Sequence, residues 1–353
     1  MAKAKKLPSG QWRTLAYGGK GQDGKRHYKS FTCDSKKESE YLAAEYELKH
    51  KKQNSKEKLT FQEASDQYIE NKENVLSPST IRGYKSMLKK DYPMLLSVQV
   101  GKLYTDDTIQ KQMNQNAKAH SAKSLYNQYG FISAVMGSCS LQIGKGDITL
   151  KPREKHSILV PTKKDAETII EILNQDPKIK CQILLAISCS LRLSEISDLT
   201  VKNIDGDYVH IHGATVRGTE GLVHKETNKS AAGMRTVHMP PALSKLVKVR
   251  CDEIVEGKLF PLHPSNVLER FQRLLVKNGL PKYTVQSMRH CFAATLHALG
   301  VPDKYIMKMG GWETDSVMKN IYQYAFEDEA DKAESEANKY FDSIMQHDAT
   351  REK

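Results

Sequence analysis

The sequence predicts a multi-domain chain that is mainly α-helical with small β-sheets. At 353 residues it is too long for one ordinary hydrophobic core. Strand-like alternation appears at the start and again in the last half, whereas helical periodicity dominates elsewhere. The stretch Ile143–His156 is rich in Gly, Lys and Pro, as a hinge would be. We therefore predict a basic β-rich module at 1–53, a helical bundle at 58–146 and a mixed α+β domain at 157–353.

Charge and composition restrict the partners and the compartment. The net charge of +12 favours a polyanion such as nucleic acid. No apolar run reaches membrane length, and no hydrophobic stretch follows the charged amino terminus. We therefore expect a cytoplasmic protein that does not interact with membranes. The six cysteines are scattered without zinc-ligand spacing, which predicts reduced thiols and no metal site.

The amino-terminal module is predicted as two strands and a helix. Gln11–Tyr17 and Lys25–Thr32 alternate as strands on either side of a Gly-rich loop. Ser35 and Glu38 have the spacing of a capping box, which predicts a helix that continues to about Lys52. The strands would place basic and aromatic side chains against a small core.

The charge of this module makes it a candidate for DNA contact. It carries 13 Lys and Arg against 6 Asp and Glu. One face of its strands could lie in a DNA groove, although a solvated basic face with Trp12 as core is the alternative. The candidate DNA-contact residues are Trp12, Arg13, Tyr17, Arg26, Tyr28 and Lys29.

A polar linker at Gln53–Lys58 is predicted to lead into four helices. Thr60 can cap the first, and Ser77–Pro78 starts the second. The third covers about Thr105–Asn116, and the fourth runs over Ala122–Ile143. Four short helices of this kind would form a compact bundle.

Basic residues on the bundle are predicted to contact phosphates. They alternate with polar residues that suit backbone contacts, although ordinary surface lysines on an all-α scaffold would give the same pattern. The candidates are Arg82, Lys85, Lys89, Lys90 and Lys123.

The last domain contains an arginine that follows a buried helix. Thr162 and Asp165 can cap a first helix, and Ile179–Cys189 is almost uniformly apolar. Arg192 follows it, with Glu195 three residues further on. A buried arginine costs several kcal/mol unless it is paired. The pair is therefore either a structural brace or a guanidinium that is held rigid to bind a phosphate.

Three strand patterns follow, and a lysine lies in the turn before the last. The strands are predicted at Tyr208–His212, Ala214–Arg217 and Arg235–Met239, with Lys229 in the turn. A turn lysine can reach into a cleft and protonate a leaving alkoxide, although most such lysines are simply solvated.

The stretch 285–325 combines an arginine with a tyrosine. Arg289 lies in an apolar helix, Gly310-Gly311-Trp312 follows, and Tyr322 lies ten residues beyond the tryptophan. A guanidinium clamps phosphate oxygens and a phenol can attack phosphorus, so this order suits chemistry on a phosphodiester.

These motifs resemble the tyrosine recombinases of the phage-integrase type. The resemblance covers about Ile158–Phe326, and the two preceding modules are similar to the arm-binding and core-binding domains of that family. It rests on four motifs in order, which are SLRLSEI, NKSAAGMRTVHMP, QSMRHCFAATLHALGV and MGGWETDSVMKNIYQYA.

The resemblance implies a DNA strand transferase that uses no metal or other cofactor. Arg192 and Arg289 would hold the non-bridging oxygens, Tyr322 would form a 3′-phosphotyrosine and Lys229 would protonate the departing 5′-oxygen. A site-specific recombinase or integrase of a phage or other mobile element would act as four protomers on two DNA duplexes, at core-type and arm-type attachment sites. DNA-bending or directionality factors are further candidate partners.

Three positions depart from the common pattern of the family. Gln286 and Trp312 stand where histidine is usual, and both are kept as candidate site residues by position. Glutamine can hydrogen-bond a phosphate oxygen but cannot accept the tyrosine's proton. His290, beside Arg289, is a weaker substitute as base. Ser190 replaces a usual glycine in the turn before Arg192.

Some alternatives remain open at this stage. Lys225 could take the place of Lys229, and Tyr324 that of Tyr322. The acidic tail after Phe326 could dock on a neighbouring protomer or fold back on its own domain. A type IB topoisomerase, or a DNA-binding regulator with a degenerate site, would share the same motifs.

Overall fold

The computed structural model gives two compact units, residues 1–154 and 155–353. The prediction of a mainly helical chain with small antiparallel sheets is confirmed. A further division of the first unit into module and bundle stays a prediction. In the described part of the chain no helix combines the length and apolar character needed to cross a membrane. The structure describes residues 3–20, 25–103, 107–144, 146–153, 159–226, 233–254, 256–314, 318–319, 335 and 338–339.

The first unit opens with a three-stranded antiparallel sheet. Its strands, in spatial order, are β1 (Lys5–Lys6), β2 (Trp12–Lys20) and β3 (Arg26–Cys33). Successive side chains of a strand point to opposite faces. One face of β2 buries Thr14 and Ala16 against helix α1 (Lys36–Glu57), and the opposite face is exposed.

Helix α1 differs from the prediction at both ends. The capping box predicted from Ser35 and Glu38 is wrong, because the Ser35 side chain makes no capping hydrogen bond. The helix also continues to Glu57, through most of the stretch predicted as a linker. Lys and Glu are good helix formers, and Lys56 Nζ donates to the Ser138 carbonyl at 2.6 Å, which holds this end of the helix in place.

The bundle packs around aromatic rings. Its buried rings include Phe61, Tyr92 and Phe131, which contact one another edge-on or stacked. The predicted Thr60 cap is confirmed, because Glu63 N donates to Thr60 Oγ1 at 3.2 Å and Thr60 N donates to Glu63 Oε2 at 2.8 Å. The helices are α2 (Phe61–Lys72), α3 (Pro78–Lys90), α4 (Val100–Leu103), α5 (Thr108–Asn116) and α6 (Ala122–Ser138).

A buried amide network holds α5 and α6 in register. Asn116 Nδ2 donates to the Asp91 carbonyl at 2.8 Å and to Gln128 Oε1 at 3.0 Å. Asn116 Oδ1 accepts from Gln112 Nε2 at 2.9 Å, and Gln112 Oε1 accepts from Met94 N at 2.9 Å. Buried polar groups cost free energy unless they are paired, so each amide depends on the others.

The second unit combines helices, one small sheet and a hairpin. The elements are α7 (Lys163–Ile172), α8 (Pro177–Cys189), α9 (Leu193–Ile196), β4 (Ile204–Asp205), β5 (Tyr208–Ile211), β6 (Ala214–Arg217), β7 (Leu222–Lys225), β8 (Arg235–His238), α10 (Pro241–Asp252), α11 (Pro264–Lys277), α12 (Val285–Ala298) and α13 (Asp303–Gly310). Helix α8 is largely buried, its apolar side chains pack against both earlier and later helices, and α12 lies along it. Strands β4, β5 and β8 form one antiparallel sheet, and β6 and β7 form a separate hairpin.

The capping box predicted at the start of α7 is confirmed and has a second use. Asp165 N donates to Thr162 Oγ1 at 3.1 Å, and Thr162 N donates to Asp165 Oδ2 at 3.3 Å. The same Oδ2 atom accepts from the Tyr283 hydroxyl at 2.7 Å. One carboxylate thus ties α7 to the chain just before α12.

The amide network predicts a specific loss of stability. Asn116→Ala should lower the free energy of unfolding by about 2–3 kcal/mol, because it leaves buried partners of Asn116 without hydrogen bonds. Chemical denaturation followed by circular dichroism measures this change. Asn114→Ala is the matched control, since Asn114 is exposed on the same helix. Equal losses for the two variants would contradict a special role for the network.

Candidate active site

A left-handed turn brings Arg192 out of the buried core. Helix α8 ends at Cys189, and Ser190 then adopts φ 57°, a conformation that favours glycine. The chain reverses there, and Arg192 becomes the residue immediately before α9. The turn leaves the Ser190 carbonyl free of the helix and able to accept side-chain donors.

Arg192 and Glu195 form the predicted pair. Arg192 Nη1 lies 2.6 Å from Glu195 Oε1, and the backbone N–H of Arg192 donates to Glu195 Oε2 at 2.9 Å. The Glu195 side chain is 1% exposed, whereas that of Arg192 is 34% exposed. Glu195 therefore fixes a guanidinium that still reaches the surface.

A second arginine, Arg235 at the start of β8, binds the same carboxylate. Its side chain is 5% exposed, and all five of its N–H donors have partners. Arg235 is therefore a structural brace, whereas the sequence predicted it only as the first residue of a strand. The sequence did not predict this pair, because Arg235 lies 40 residues after Glu195 and no local pattern connects the two. The acceptors are Met309 O at 3.1 Å, Gly233 O at 3.2 Å, Ser190 O at 3.0 Å, Glu195 Oε1 at 3.3 Å and Glu195 Oε2 at 3.0 Å.

The two arginines keep Glu195 ionised. Burial alone would raise the pKa of this carboxyl, but Arg235 and then Arg192 outweigh burial and hold the pKa below its usual value. A shared buried carboxylate between two guanidiniums is a network, in which the loss of one partner leaves buried charge uncompensated.

Arg289 is the third arginine and the most deeply buried. It lies on α12 and is 1% exposed. One terminal nitrogen donates to the Ser190 carbonyl and the other to the Gly311 carbonyl at 3.5 Å, while Nε has no hydrogen-bond partner among the described residues. Burial, with Arg192 and Arg235 adding to it, lowers the pKa of Arg289 below its usual value. An anion is the ligand that would relieve this cost.

Trp312 covers the Arg289 guanidinium. The Arg289 Cζ atom lies 4.2 Å from the centroid of the Trp312 ring, a cation–π distance. The tryptophan follows Gly311, which ends α13 at φ 66°. A Cβ at Gly310 would lie 1.8 Å from the Trp312 ring, so only glycine leaves room for this ring position. The Gly-Gly-Trp motif therefore builds one wall of the site.

Two backbone carbonyls bring the arginines together. Ser190 O accepts from Arg289 and Arg235, and Gly311 O accepts from Arg289 and from Arg192 Nη2 at 3.2 Å. Arg192 and Arg289 thus share an acceptor. Within the described residues, one carboxylate faces three guanidiniums, and this excess of positive charge suits a phosphate.

The histidine position of the family is polar but not basic here. Gln286 lies exposed on the first turn of α12, three residues before Arg289. His290 has a buried Nδ1 atom without a partner in the described part of the chain. Burial, helped by Arg289, lowers the pKa of His290 to about 4, so its ring is neutral at pH 7.

Two of the predicted catalytic residues lie outside the described residues. These are Lys229 and Tyr322, and the alternative Tyr324 and the acidic residues of the tail fall outside as well. Lys225, the other lysine considered, is described and is the last residue of β7.

The structure separates the candidate residues of the amino-terminal sheet into two faces. Arg13, Arg26 and Tyr28 are exposed, and Tyr28 lies 5.7 Å from Tyr17 between ring centroids across the pair β2–β3. By strand alternation they share the face that points away from α1.

Trp12 and Lys29 belong to the opposite face. Trp12 is half-buried, and Lys6 Nζ and Lys36 Nζ lie 5.9 and 5.7 Å from its ring centroid. Lys29 Nζ lies 5.2 Å from the ring centroid of Tyr46 on α1. The alternative interpretation of Trp12, as part of a small core, fits this position.

The basic residues of the bundle lie mostly on α3. Arg82, Lys85 and Lys89 are exposed at helical spacing along one side, with Lys90 beside them. Lys85 also pairs with Glu73 at 3.4 Å. Lys123 is exposed on the first turn of α6.

Comparison with known proteins supports the resemblance seen in the sequence. Residues 160–329 match the sequence model of the phage integrase family. This part of the chain is therefore a phage-integrase domain, and the resemblance noted in the sequence is confirmed.

Two curated relatives are similar to this chain. An integrase from Saccharopolyspora erythraea is 28% identical over an alignment that covers 34% of this chain and 31% of that protein. A XerC-like tyrosine recombinase from Caldanaerobacter subterraneus subsp. tengcongensis is 21% identical and covers 76% of this chain and 75% of that protein. The chain therefore spans about a third of the first relative and three quarters of the second.

Solved structures share the fold. Residues 82–397 of the Tn1549 transposon integrase, in complex with transposon right-end DNA, superpose with a TM-score of 0.65 at 20% identity, over 79% of this chain and 99% of that one. A lambda integrase dimer bound to a COC′ core site gives a TM-score of 0.56 at 16% identity, over 91% and 95%. At these identities the likeness establishes the fold.

The left-handed turn at Ser190 predicts a stabilising substitution. Ser190→Gly should raise the free energy of unfolding by about 1 kcal/mol, because glycine adopts positive φ without strain. The buried Ser190 hydroxyl also lacks a partner within the described residues, and the substitution removes it. Ser190→Ala removes only the hydroxyl and should gain less. Calorimetry that finds glycine no more stable than alanine would argue against strain at this turn.

Proposed function

We propose that this chain is a site-specific DNA recombinase or integrase of a phage or other mobile element. It would cut and rejoin DNA strands through a 3′-phosphotyrosine and exchange them through a Holliday junction. One observation carries the proposal: Arg192 and Arg289, 97 residues apart in sequence, donate to the same Gly311 carbonyl. Two guanidiniums that meet at one acceptor are placed to bind one phosphate.

The arginines are proposed to stabilise charge at phosphorus. Within the described residues, each of Arg192 and Arg289 uses two of five N–H donors. The remaining donors can bind non-bridging oxygens, and donors fixed in advance act most strongly where charge develops in the transition state. Glu195 holds Arg192 directly, and Arg235 braces Glu195, without either residue binding substrate.

The remaining roles rest on the family resemblance. Tyr322 would attack phosphorus, and Lys229 would protonate the 5′-oxygen as the P–O bond breaks. Gln286 and Trp312 would donate hydrogen bonds to the phosphate. Because Gln286 cannot take a proton and His290 is a weak base with a pKa of about 4, we propose that neither of these side chains removes the tyrosine's proton.

DNA is the proposed partner, with a homotetramer as the active assembly. The net charge of +12 supports a polyanion. The related lambda integrase has been seen as a tetramer on a Holliday junction, and the Tn1549 integrase on transposon-end DNA. The bundle residues Arg82, Lys85, Lys89, Lys90 and Lys123 would contact core-type sites, and the sheet would contact arm-type sites, with DNA-bending or directionality factors as further partners.

The covalent step gives the decisive experiment. A nicked duplex that loses the 5′-hydroxyl strand after cleavage should trap a covalent adduct with the wild-type chain. Tyr322→Phe should abolish the adduct because it removes the nucleophile, and Tyr324→Phe should leave it intact. Denaturing gels with labelled DNA measure the adduct.

The same assay separates the alternatives. Loss of the adduct in Tyr324→Phe alone would move the nucleophile to that residue. DNA binding without any adduct in the wild type would favour a regulator with a degenerate site. Relaxation of supercoiled DNA by single protomers without a defined site would favour a type IB topoisomerase.

The two faces of the amino-terminal sheet should differ in DNA binding. Arg13→Gln should weaken binding to duplex DNA about 3- to 10-fold and reduce the slope of log affinity against log salt by about 1, as for a lost phosphate contact. Lys29→Gln is the matched control because Lys29 lies on the face toward α1. Fluorescence anisotropy at several salt concentrations measures both. A larger effect from Lys29 would reverse the assignment of the binding face.

A further inference from the structure

The hairpin β6–β7 interrupts a sheet. Strands β5 and β8 are hydrogen-bonded neighbours, yet residues 212–234 separate them in the sequence. Within this stretch β6 and β7 pair with each other, with Thr215 opposite His224. The stretch also contains Lys229, between the end of β7 and the start of β8.

Asp198 holds this hairpin against the segment that carries Arg192 and Glu195. Asp198 lies three residues after Glu195. Asp198 Oδ1 accepts from Thr215 Oγ1 at 2.8 Å and from His224 Nδ1 at 2.7 Å, so one carboxylate holds both strands of the hairpin. Lys258 Nζ donates to the Thr215 hydroxyl at 2.6 Å and supports the contact from a third segment.

The hairpin lies so close to Asp198 that position 213 has no room for a side chain. A Cβ there would lie 2.7 Å from Asp198 Oδ2 and 2.9 Å from His224 Cε1. Contacts this short do not occur for real Cβ atoms without a shift of the neighbours. Glycine at position 213 therefore leaves the room that Asp198 and His224 occupy beside the hairpin.

We call residues 225–234, which include Lys229, the lysine segment. The residues on either side of it, His224 and Arg235, both bind one short stretch of chain. On one side, His224 is held by Asp198. On the other side, Arg235 donates to Glu195 at 3.0 and 3.3 Å. Glu195 also holds Arg192, so the anchors of the lysine segment and of the first arginine lie within four consecutive residues.

We propose that Asp198, with Thr215 and His224, is a positioning residue for Lys229. The proposal rests on the proposed function, in which Lys229 protonates the leaving 5′-oxygen. Through Thr215 and His224, Asp198 fixes the hairpin whose second strand leads to Lys229. Loss of these contacts would remove that restraint on the position of the lysine. Proton transfer depends on a donor held in place, so cleavage slows.

The test uses a leaving group that needs no proton. In the natural reaction the phenol loses its proton to solvent as the tyrosine O–P bond forms. The P–O5′ bond breaks, O5′ takes a proton from the lysine, and solvent returns a proton to the lysine. With a 5′-bridging sulfur, the P–S bond breaks instead, and the sulfur leaves as a thiolate without a proton because a thiol is far more acidic than an alcohol. A defect in proton donation is therefore rescued by sulfur, whereas a defect at the arginines is not.

Asp198→Asn should slow cleavage of the ordinary nicked substrate roughly 10- to 100-fold. On the sulfur substrate it should cleave within about 3-fold of wild type, and Lys229→Ala should show the same pattern. Gly213→Ala should behave similarly, because it displaces the hairpin without removing Asp198. Glu253→Gln is the matched control, since it removes a surface ion pair with Arg250 on α10, and should cleave both substrates normally.

Each contrary result overturns a distinct claim. Asp198→Asn that is slow on both substrates, or normal on both, overturns the positioning role while a rescued Lys229→Ala keeps the proposed function. Lys229→Ala that sulfur does not rescue overturns the role of the lysine, and the positioning role with it. Melting temperatures of all variants identify unfolding, and a destabilised Asp198→Asn is replaced by His224→Gln, whose exposed side chain carries less of the fold.

Discussion

The arrangement of the second unit depends on one buried carboxylate. Glu195 is 1% exposed and binds both Arg192 and Arg235. Without it, three guanidiniums would face one another in a poorly solvated space, which costs several kcal/mol per uncompensated charge. With it, Arg235 is satisfied completely and Arg192 is held at the surface. Glu195 acts on the chemistry only through the residues that it fixes.

Left-handed helix ends supply the other half of this arrangement. Helices α8 and α13 both end in a residue at positive φ, Ser190 and Gly311, and each of these residues contributes a carbonyl to the arginines. The backbone at a helix end has carbonyls without helical partners. Here these carbonyls align cations, so the same turns that stop the helices also define where an anion would bind.

The pairing of Arg192 with Glu195 was predictable because its signal is local. The roles of Arg192 and Arg289 came from the family resemblance, since spacing alone left a structural brace and a phosphate-binding guanidinium equally open. Arg235 was predicted only as the first residue of a strand, because its pairing with Glu195 depends on β8 lying next to the turn after α8. Ser190 likewise gave no sign that its carbonyl would serve two arginines.

In the fold, too, features set by neighbouring residues were predicted, whereas features set by tertiary packing were not. The Thr60 and Thr162 caps formed as predicted, since all their atoms lie within one turn. The Ser35 cap did not form, and α1 ran on through residues whose polar composition suits a helix as well as a linker. The division of Trp12 and Lys29 from Arg13 and Tyr28 follows from strand alternation, but which face is covered depended on where α1 packs.

The position of the tryptophans has a practical consequence. The chain contains two, Trp12 in the first unit and Trp312 in the second. Each unit therefore carries its own intrinsic fluorophore. Replacing either ring by phenylalanine would let emission spectra follow the melting of one half of the molecule without any attached dye, and Trp312, stacked on a buried cation, would double as an optical sensor of anions that enter beside it.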